Sequence, residues 1–364
     1  MKALNLCTTP WPRVVHATNV VADHTARPDV RGHSVAATRL GILLLSTTAP
    51  ERLGQMSTRC EDLGFDEVWL AEDYFFYGGF NAAAQALAAT ARIRVGLGVI
   101  SCVARHPAAT AMEIASLERS FPGRLLPGIG HGVPAWVAQM GLTPKSPMRA
   151  LTEAVTGIRT LLTSSEPFTA EGEYFTFRDI TLFHPPAGEV PLYLGVIGAK
   201  GCELAGRIAD GNVLSVLAPT EYVTWARDLG QQGMAAAGRS GTFSVPTYVL
   251  TAVDEDRDRA RHAVRESLAF YLDAIGPTPL TGAIGINDTV AELAAGGFAA
   301  LVDGMPDDWV DRLAICGTPD EVAKRIEQYW SAGADSVVLS PQPADTVEAQ
   351  LELIAAEVLP RLNR

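Results

Sequence analysis

Residues 39–70, RLGILLLSTTAPERLGQMSTRCEDLGFDEVWL, read as one complete strand, helix and strand. The apolar run Leu40–Leu45 has strand length, Leu53, Met56, Cys60 and Leu63 then recur at helical spacing on one face, Gly64 stops the helix, and Glu67–Leu70 opens a second strand. Two strands joined through a helix are the repeating unit of a parallel sheet. The unit recurs to the end of the chain, with strands expected at Arg94–Ile100, Leu125–Ile129, Pro191–Leu194, Asn212–Ser215, Pro246–Ala252 and Val337–Leu339. Helices are expected between them, over Asn81–Ala91, Pro107–Phe121, Pro147–Leu162, Lys200–Ile208 and Thr220–Ala237, with a long charged helix from Glu255.

The last unit carries the fullest set of local signals. Thr318, Pro319 and Glu321 supply an N-cap, a first-turn proline and a capping-box partner, Val322, Ile326 and Tyr329 line one face, and Gly333 ends the helix. Eight strands in alternation without a reversal favour a closed (β/α)8 TIM barrel over an open doubly wound sheet. Insertions are expected near 165–185, where Tyr174, Phe175 and Phe177 suggest a small hairpin, and over 276–316, which shows no clear strand. Residues 1–37 lack a period and read as a poorly ordered extension before a barrel domain at 38–364.

The 364 residues carry 29 Lys and Arg against 41 Asp and Glu, a net charge of −12, which argues against an extended nucleic-acid or anionic-lipid surface. The apolar runs are strand-sized and the amino terminus is interrupted by Pro10, Pro12 and Arg13, so no membrane span or secretory leader is expected and the cytoplasm is the expected location. Five scattered cysteines without paired spacing disfavour a disulfide framework or zinc site. Metal-dependent hydrolysis would need several ligands at strand ends, where only His106 and His131 stand.

A barrel of this kind keeps its chemistry at the carboxyl ends of its strands. After the second strand come Glu72 and Asp73, adjacent carboxyls suited to acid–base work or simply to a solvated loop. The third strand holds Gly96 and Gly98, marking either close strand packing or the approach of a ligand, and runs through Val99 to Ser101. The fourth ends in Gly130, His131 and Gly132, where the histidine is a general acid, a ligand or a structural residue. The fifth runs into Gly198, Ala199, Lys200 and Gly201 at a helix start, a seat for a phosphate or a tight turn. Phe75, Phe76, Tyr77, Phe80 and Trp136 read either as contacts for an apolar or planar substrate or as loop packing.

Taken in order, Leu63-Gly-Phe-Asp-Glu-Val-Trp-Leu-Ala-Glu-Asp73, Ile93-Arg-Val-Gly-Leu-Gly-Val-Ile100, Arg105-His-Pro107, Gly123-Arg-Leu-Leu-Pro-Gly-Ile-Gly130, Leu204-Ala-Gly-Arg-Ile-Ala-Asp-Gly211, Gly317-Thr-Pro-Asp-Glu-Val322 and Ala332-Gly-Ala-Asp335 resemble the luciferase-like monooxygenase superfamily. The resemblance runs from about Arg39 to the end, and around Gly98 and Arg105 it is similar to the branch that uses the deazaflavin F420, including methylenetetrahydromethanopterin reductase-like proteins. It implies an oxidoreductase that moves a hydride between F420 and a small molecule, reducing a C=C or C=N bond or running the reverse oxidation. It further implies a non-proline cis peptide at Gly98–Val99 behind the ring, and cofactor contacts from Ser101, from Gly130, His131 and Gly132, and from Gly198 to Gly201. Relatives often place an acid and then histidine after the second strand; here Glu72 precedes Asp73, and either acid is a candidate for the proton. The alternatives are an FMN-dependent monooxygenase served by a flavin reductase and using oxygen, or a cofactor-binding barrel without turnover. A homodimer is a further expectation, with the alanine-rich Ala82–Ala91 face as a candidate contact.

Overall fold

The computed structural model describes residues 38–363; the extension expected over 1–37 lies outside the described residues. In chain order the strands are β1 (Arg39–Leu44), β2 (Glu67–Leu70), β3 (Arg94–Ser101), β4 (Leu125–Gly130), β5 (Phe168–Glu171), β6 (Thr176–Ile180), β7 (Tyr193–Gly195), β8 (Gly211–Asn212), β9 (Thr247–Val253), β10 (Ala314–Gly317) and β11 (Ser336–Pro341). β5 and β6 pair antiparallel as the expected hairpin, while the other nine form one parallel sheet in the order β10-β9-β11-β1-β2-β3-β4-β7-β8. Parallel bridges from Gly211 to Ser244 and from Leu214 to Thr247 carry β8 back to the segment entering β9, so the row returns on itself. This is the TIM-barrel arrangement, closed at that seam by single bridges rather than by a continuous ladder.

The helices that matter for the site are α1 (Leu53–Asp62), α2 (Gly79–Ala89), α3 (Pro107–Ser120), α4 (Pro134–Gln139), α5 (Pro147–Thr163), α6 (Ala199–Ile208), α7 (Thr220–Ala236) and α8 (Arg257–Ile275). The span 276–316 corrects the sequence reading. It holds four short helices, α9 (Pro279–Gly282), α10 (Asn287–Ala295), α11 (Phe298–Gly304) and α12 (Asp307–Leu313), and then β10, which pairs with Leu250–Val253 of β9. Four residues, Ala-Ile-Cys-Gly, are too few to show a period, which is why this strand was not legible. α13 (Pro319–Ala332) has the expected reciprocal cap between Thr318 and Glu321 and ends at Gly333 with φ 109°. Along α2, Ala82, Ala83 and Ala86 are buried in the chain's own core, while Ala88 and Ala89 at its end are exposed.

The two glycines of β3 are packing residues on both counts. A Cβ at Gly96 would meet the Trp69 ring at 2.1 Å, and one at Gly98 would meet Tyr248 Oη at 1.9 Å. Trp69, fully buried, stands edge-on to Tyr193 at 6.1 Å and to Tyr248 at 5.7 Å, filling the barrel with rings from β2, β7 and β9. Beneath them the fully buried Glu67 carboxylate accepts from Trp69 Nε1 at 2.8 Å and Ser336 Oγ at 2.7 Å, and pairs with Arg94 and, at 3.9 Å, with Arg39.

α6 and α7 cross at backbone contact. A Cβ on Gly206 would lie 1.9 Å from the Gly230 carbonyl oxygen, and one on Gly233 would lie 2.1 Å from that of Glu203. Neither neighbour is a side chain that can swing aside, so Gly206→Ala forces the helices apart; overpacking of this kind costs about 3 kcal/mol. Denaturant unfolding of Gly206→Ala should show that loss, and unchanged stability would mean that the helices are not held at this distance.

Candidate active site

The loop after β2 places the two acids in different surroundings. Glu72 is buried, and its carboxylate takes both arms of Arg105, Nη1 at 2.7 Å and Nη2 at 2.5 Å, together with the Gly79 amide at 2.9 Å at the start of α2. A forked guanidinium plus a helix-start amide satisfies both oxygens and pins the loop to the segment after β3. Arg105 also lies over the Phe80 ring, 5.4 Å from its centroid. Asp73 is half-buried, accepts from Ser46 Oγ at 2.6 Å through Oδ2, and makes no ion pair among the described residues. Tyr74 follows; burial and the Glu72 charge push its phenol up to about 12.

β3 breaks register against β4 between Leu97 and Ile100, and the Gly98–Val99 peptide there is cis, as is Tyr74–Phe75. Val99 projects toward β4 and β7 into space left by glycines: a Cβ at Gly130 would meet its Cγ2 at 2.5 Å, and one at Gly195 or Gly128 its Cγ1 at 2.7 or 3.1 Å. Ser101, Gly130 and Gly195 stand in register across three strands. Ser101 Oγ donates to the His131 carbonyl at 3.2 Å, and Gly132, at φ 74°, turns the chain closely over Ser101. His131 is half-buried, and burial lowers its pKa below the ordinary value, which favours neutral imidazole.

Gly198 caps α6, and its carbonyl accepts from the amides of Gly201 and Cys202, so the amides of Ala199 and Lys200 belong to the open helix end. Gly198, Ala199 and Lys200 are exposed; Gly201 is not, and packs on Val196, where a Cβ would meet Val196 Cβ at 2.9 Å. The turn is held from behind by residues that sequence reasoning missed. Buried Asn212 clamps Val196, donating to its carbonyl at 3.0 Å and accepting from its amide at 3.1 Å, and Tyr222 Oη donates to the Ile197 carbonyl at 2.6 Å. An amide side chain heading an apolar strand was the available signal for Asn212.

His131 Nδ1, Tyr77 Oη and Tyr248 Oη are buried without a hydrogen-bond partner among the described residues. Unsatisfied polar atoms beside a glycine-lined floor and an open helix terminus fit a flat ring with polar edges and a phosphate arm. Among the described residues no cluster of His, Cys, Asp and Glu is arranged to hold a metal, and no helix is long and apolar enough to cross a membrane.

The sequence model of the luciferase-like monooxygenase family matches residues 30–336. The 5,10-methylenetetrahydromethanopterin reductase of Archaeoglobus fulgidus is 30% identical over 312 residues, 83% of this chain and 93% of that protein. The F420-dependent glucose-6-phosphate dehydrogenase of Microbacterium testaceum is 30% identical over 332 residues, 86% of this chain and 94% of that one. The solved coenzyme F420 dependent tetrahydromethanopterin reductase from Methanopyrus kandleri superposes with a TM-score of 0.78 at 26% identity, covering 90% of this chain and all of that one.

Two outcomes follow from the geometry. Arg105→Met strands the Glu72 carboxylate, whose side chain is only 1% exposed, and should lower the unfolding free energy. Breaking a buried pair from one side costs about 3 kcal/mol. The His131 ring should titrate below 6.5 in a proton NMR pH series of the cofactor-free protein; a midpoint above that value would contradict its burial.

Proposed function

The chain belongs to the luciferase-like monooxygenase family, and within it we propose an F420-dependent oxidoreductase that transfers a hydride between the deazaflavin and a small organic substrate. The observation that carries this is the likeness, along nearly the whole barrel, to relatives whose names include F420-dependent dehydrogenases. When bound, the deazaflavin supplies a ring carbon that gives or accepts a hydride. The substrate step is reduction of a C=C or C=N bond, or the reverse oxidation, and the protein works as a cytoplasmic small-molecule enzyme and a homodimer.

The floor formed by Gly98, Val99 and Ser101, with Gly130, His131 and Gly132 beside it, holds the ring; burial keeps His131 neutral, leaving Nδ1 to pair with a polar ring edge. Gly198, Ala199 and Lys200 meet a phosphate through helix-start amides and the lysine charge, while Gly201 lets α6 close on Val196. The two acids divide the remaining work. Glu72, committed on both oxygens to Arg105 and Gly79, positions the loop, so the proton falls to Asp73. Ser46 holds Asp73 Oδ2, which leaves Oδ1 as the atom that takes or gives the substrate proton.

Fluorescence titration of F420 and FMN separately tests the cofactor: F420 should bind tighter, and the opposite preference would move the reading to an oxygen-using FMN monooxygenase with a flavin reductase as partner. Asp73→Asn should keep F420 affinity while lowering kcat about 100-fold, the scale of a lost acid–base group. Unchanged kcat would remove Asp73 from the proton step.

A further inference from the structure

We propose that the groove between the β5–β6 hairpin and the loop before α5 is a second small-molecule site, for an organic acid with a compact apolar body and a single carboxylate that pairs with Lys145. The inference stands apart from the hydride-transfer reading and needs no bound F420.

The groove has a volume of about 390 Å³, within the range of small-molecule sites, and its apolar lining is Val103, Leu142, Pro144, Tyr174 and Phe175. Leu142 is left 38% exposed there, apolar surface that a ligand covers. The walls are set before any ligand arrives. Glu153 of α5 accepts from the amides of Glu173, Tyr174 and Phe175 at 3.0, 2.9 and 3.4 Å, pinning the hairpin turn to that helix. Tyr174 Oη accepts from the Ser146 amide at 2.6 Å and so joins the hairpin to the loop. On the other flank His106 Nδ1 accepts from the Ala108 amide, which leaves Nε2 to donate to the Thr176 carbonyl at 3.2 Å, and the ring stands edge-on to Phe175 at 5.8 Å. A groove built in advance keeps the ordering cost of binding low.

Charge selects the polar end of the ligand. Two charged side chains line the groove, Glu173 and Lys145. Glu173 pairs with Arg149 at 3.2 Å, whereas Lys145 has no hydrogen bond or ion pair among the described residues. A ligand ammonium would find its carboxylate already taken, and a ligand carboxylate finds an unclaimed cation. A dianion such as a phosphate monoester would have one point charge to hold it and Glu173 to repel it, so a single carboxylate is the better match to a single lysine. The groove also backs the cofactor floor without sharing it. Val103 follows Ser101 in the loop after β3, Leu142 donates its amide to the Val137 carbonyl at 3.0 Å, and Val137 Cγ2 lies 3.2 Å from where a Cβ on Gly132 would stand. None of the residues assigned to the ring or the phosphate lines the groove, so acid and cofactor bind together.

The test is calorimetric titration of the protein with naphthoate and, separately, with naphthamide, which keeps the apolar body and loses the charge. Naphthoate should bind saturably and naphthamide about 5-fold more weakly, the scale of an exposed ion pair. Lys145→Met should bring naphthoate down to the level of the amide and leave the amide unchanged, while Leu142→Ser should weaken both alike, about 5-fold. Both positions are exposed, so the variants keep the fold, which circular dichroism checks. Equal affinities for acid and amide overturn the proposal, as does naphthoate binding that survives Lys145→Met or shows no saturation below about 1 mM. Competition between naphthoate and F420 also overturns it, because the acid would then occupy the cofactor floor. If F420 itself does not bind, the hydride-transfer reading fails, and the comparison of acid with amide still decides the groove.

Discussion

The buried carboxylate of Glu67 is the contact on which the barrel's interior depends. Fully buried, it is held by Arg94, Arg39, Ser336 and the indole of Trp69, which between them belong to β1, β2, β3 and β11. A buried anion with that many donors holds its strands in register, because each partner must keep its place for the charge to be tolerated. It also fixes the Trp69 ring. The ring in turn demands Gly96 on the next strand and supports Tyr248, whose oxygen demands Gly98. The line from the base of the barrel to the floor of the candidate site is thus three contacts long, Glu67 to Trp69, Trp69 to Tyr248 and Tyr248 to Gly98.

On the other side of the site the controlling groups are polar. Asn212 and Tyr222 occupy the backbone of the turn before α6, and the glycine-to-backbone crossing of α6 and α7 sets where that helix begins. The helix end proposed to meet a phosphate is therefore placed by groups that never touch it. The acid loop is placed in the same indirect way, through Arg105 and the Gly79 amide. Asp73 is left with a lighter tether, one hydroxyl, which suits the proton exchange proposed for it.

Local signals carried most of the fold. The capping box at Thr318 and Glu321, the helical face of Leu53, Met56 and Cys60, and the alternating units all appear where the spacing predicts them. What stayed hidden was tertiary. β10 is too short to have a period, and the alanines of α2 look the same in sequence whether they face a partner or the chain's own core. Glu72 and Asp73 are adjacent and chemically alike; only the fold, by bringing Arg105 to one of them across 33 positions, separates their roles. Tyr248 lies inside an ordinary β-strand run and reveals itself only by the hydroxyl it leaves unpaired.

Val99 rests in a hollow made by Gly128 and Gly130 of β4 and Gly195 of β7, with its methyl groups where their side chains would be. Those four positions behave as one heritable unit. A larger residue at Gly130 or Gly195 needs a smaller one at 99, so such paired changes are strongly non-additive, while Gly128 is held in addition by the Leu97 carbonyl oxygen, 2.6 Å from where its Cβ would stand. The floor of the site is thereby shielded from gradual drift, while Phe75, 67% exposed on the loop after β2, carries no such coupling and is free to diversify.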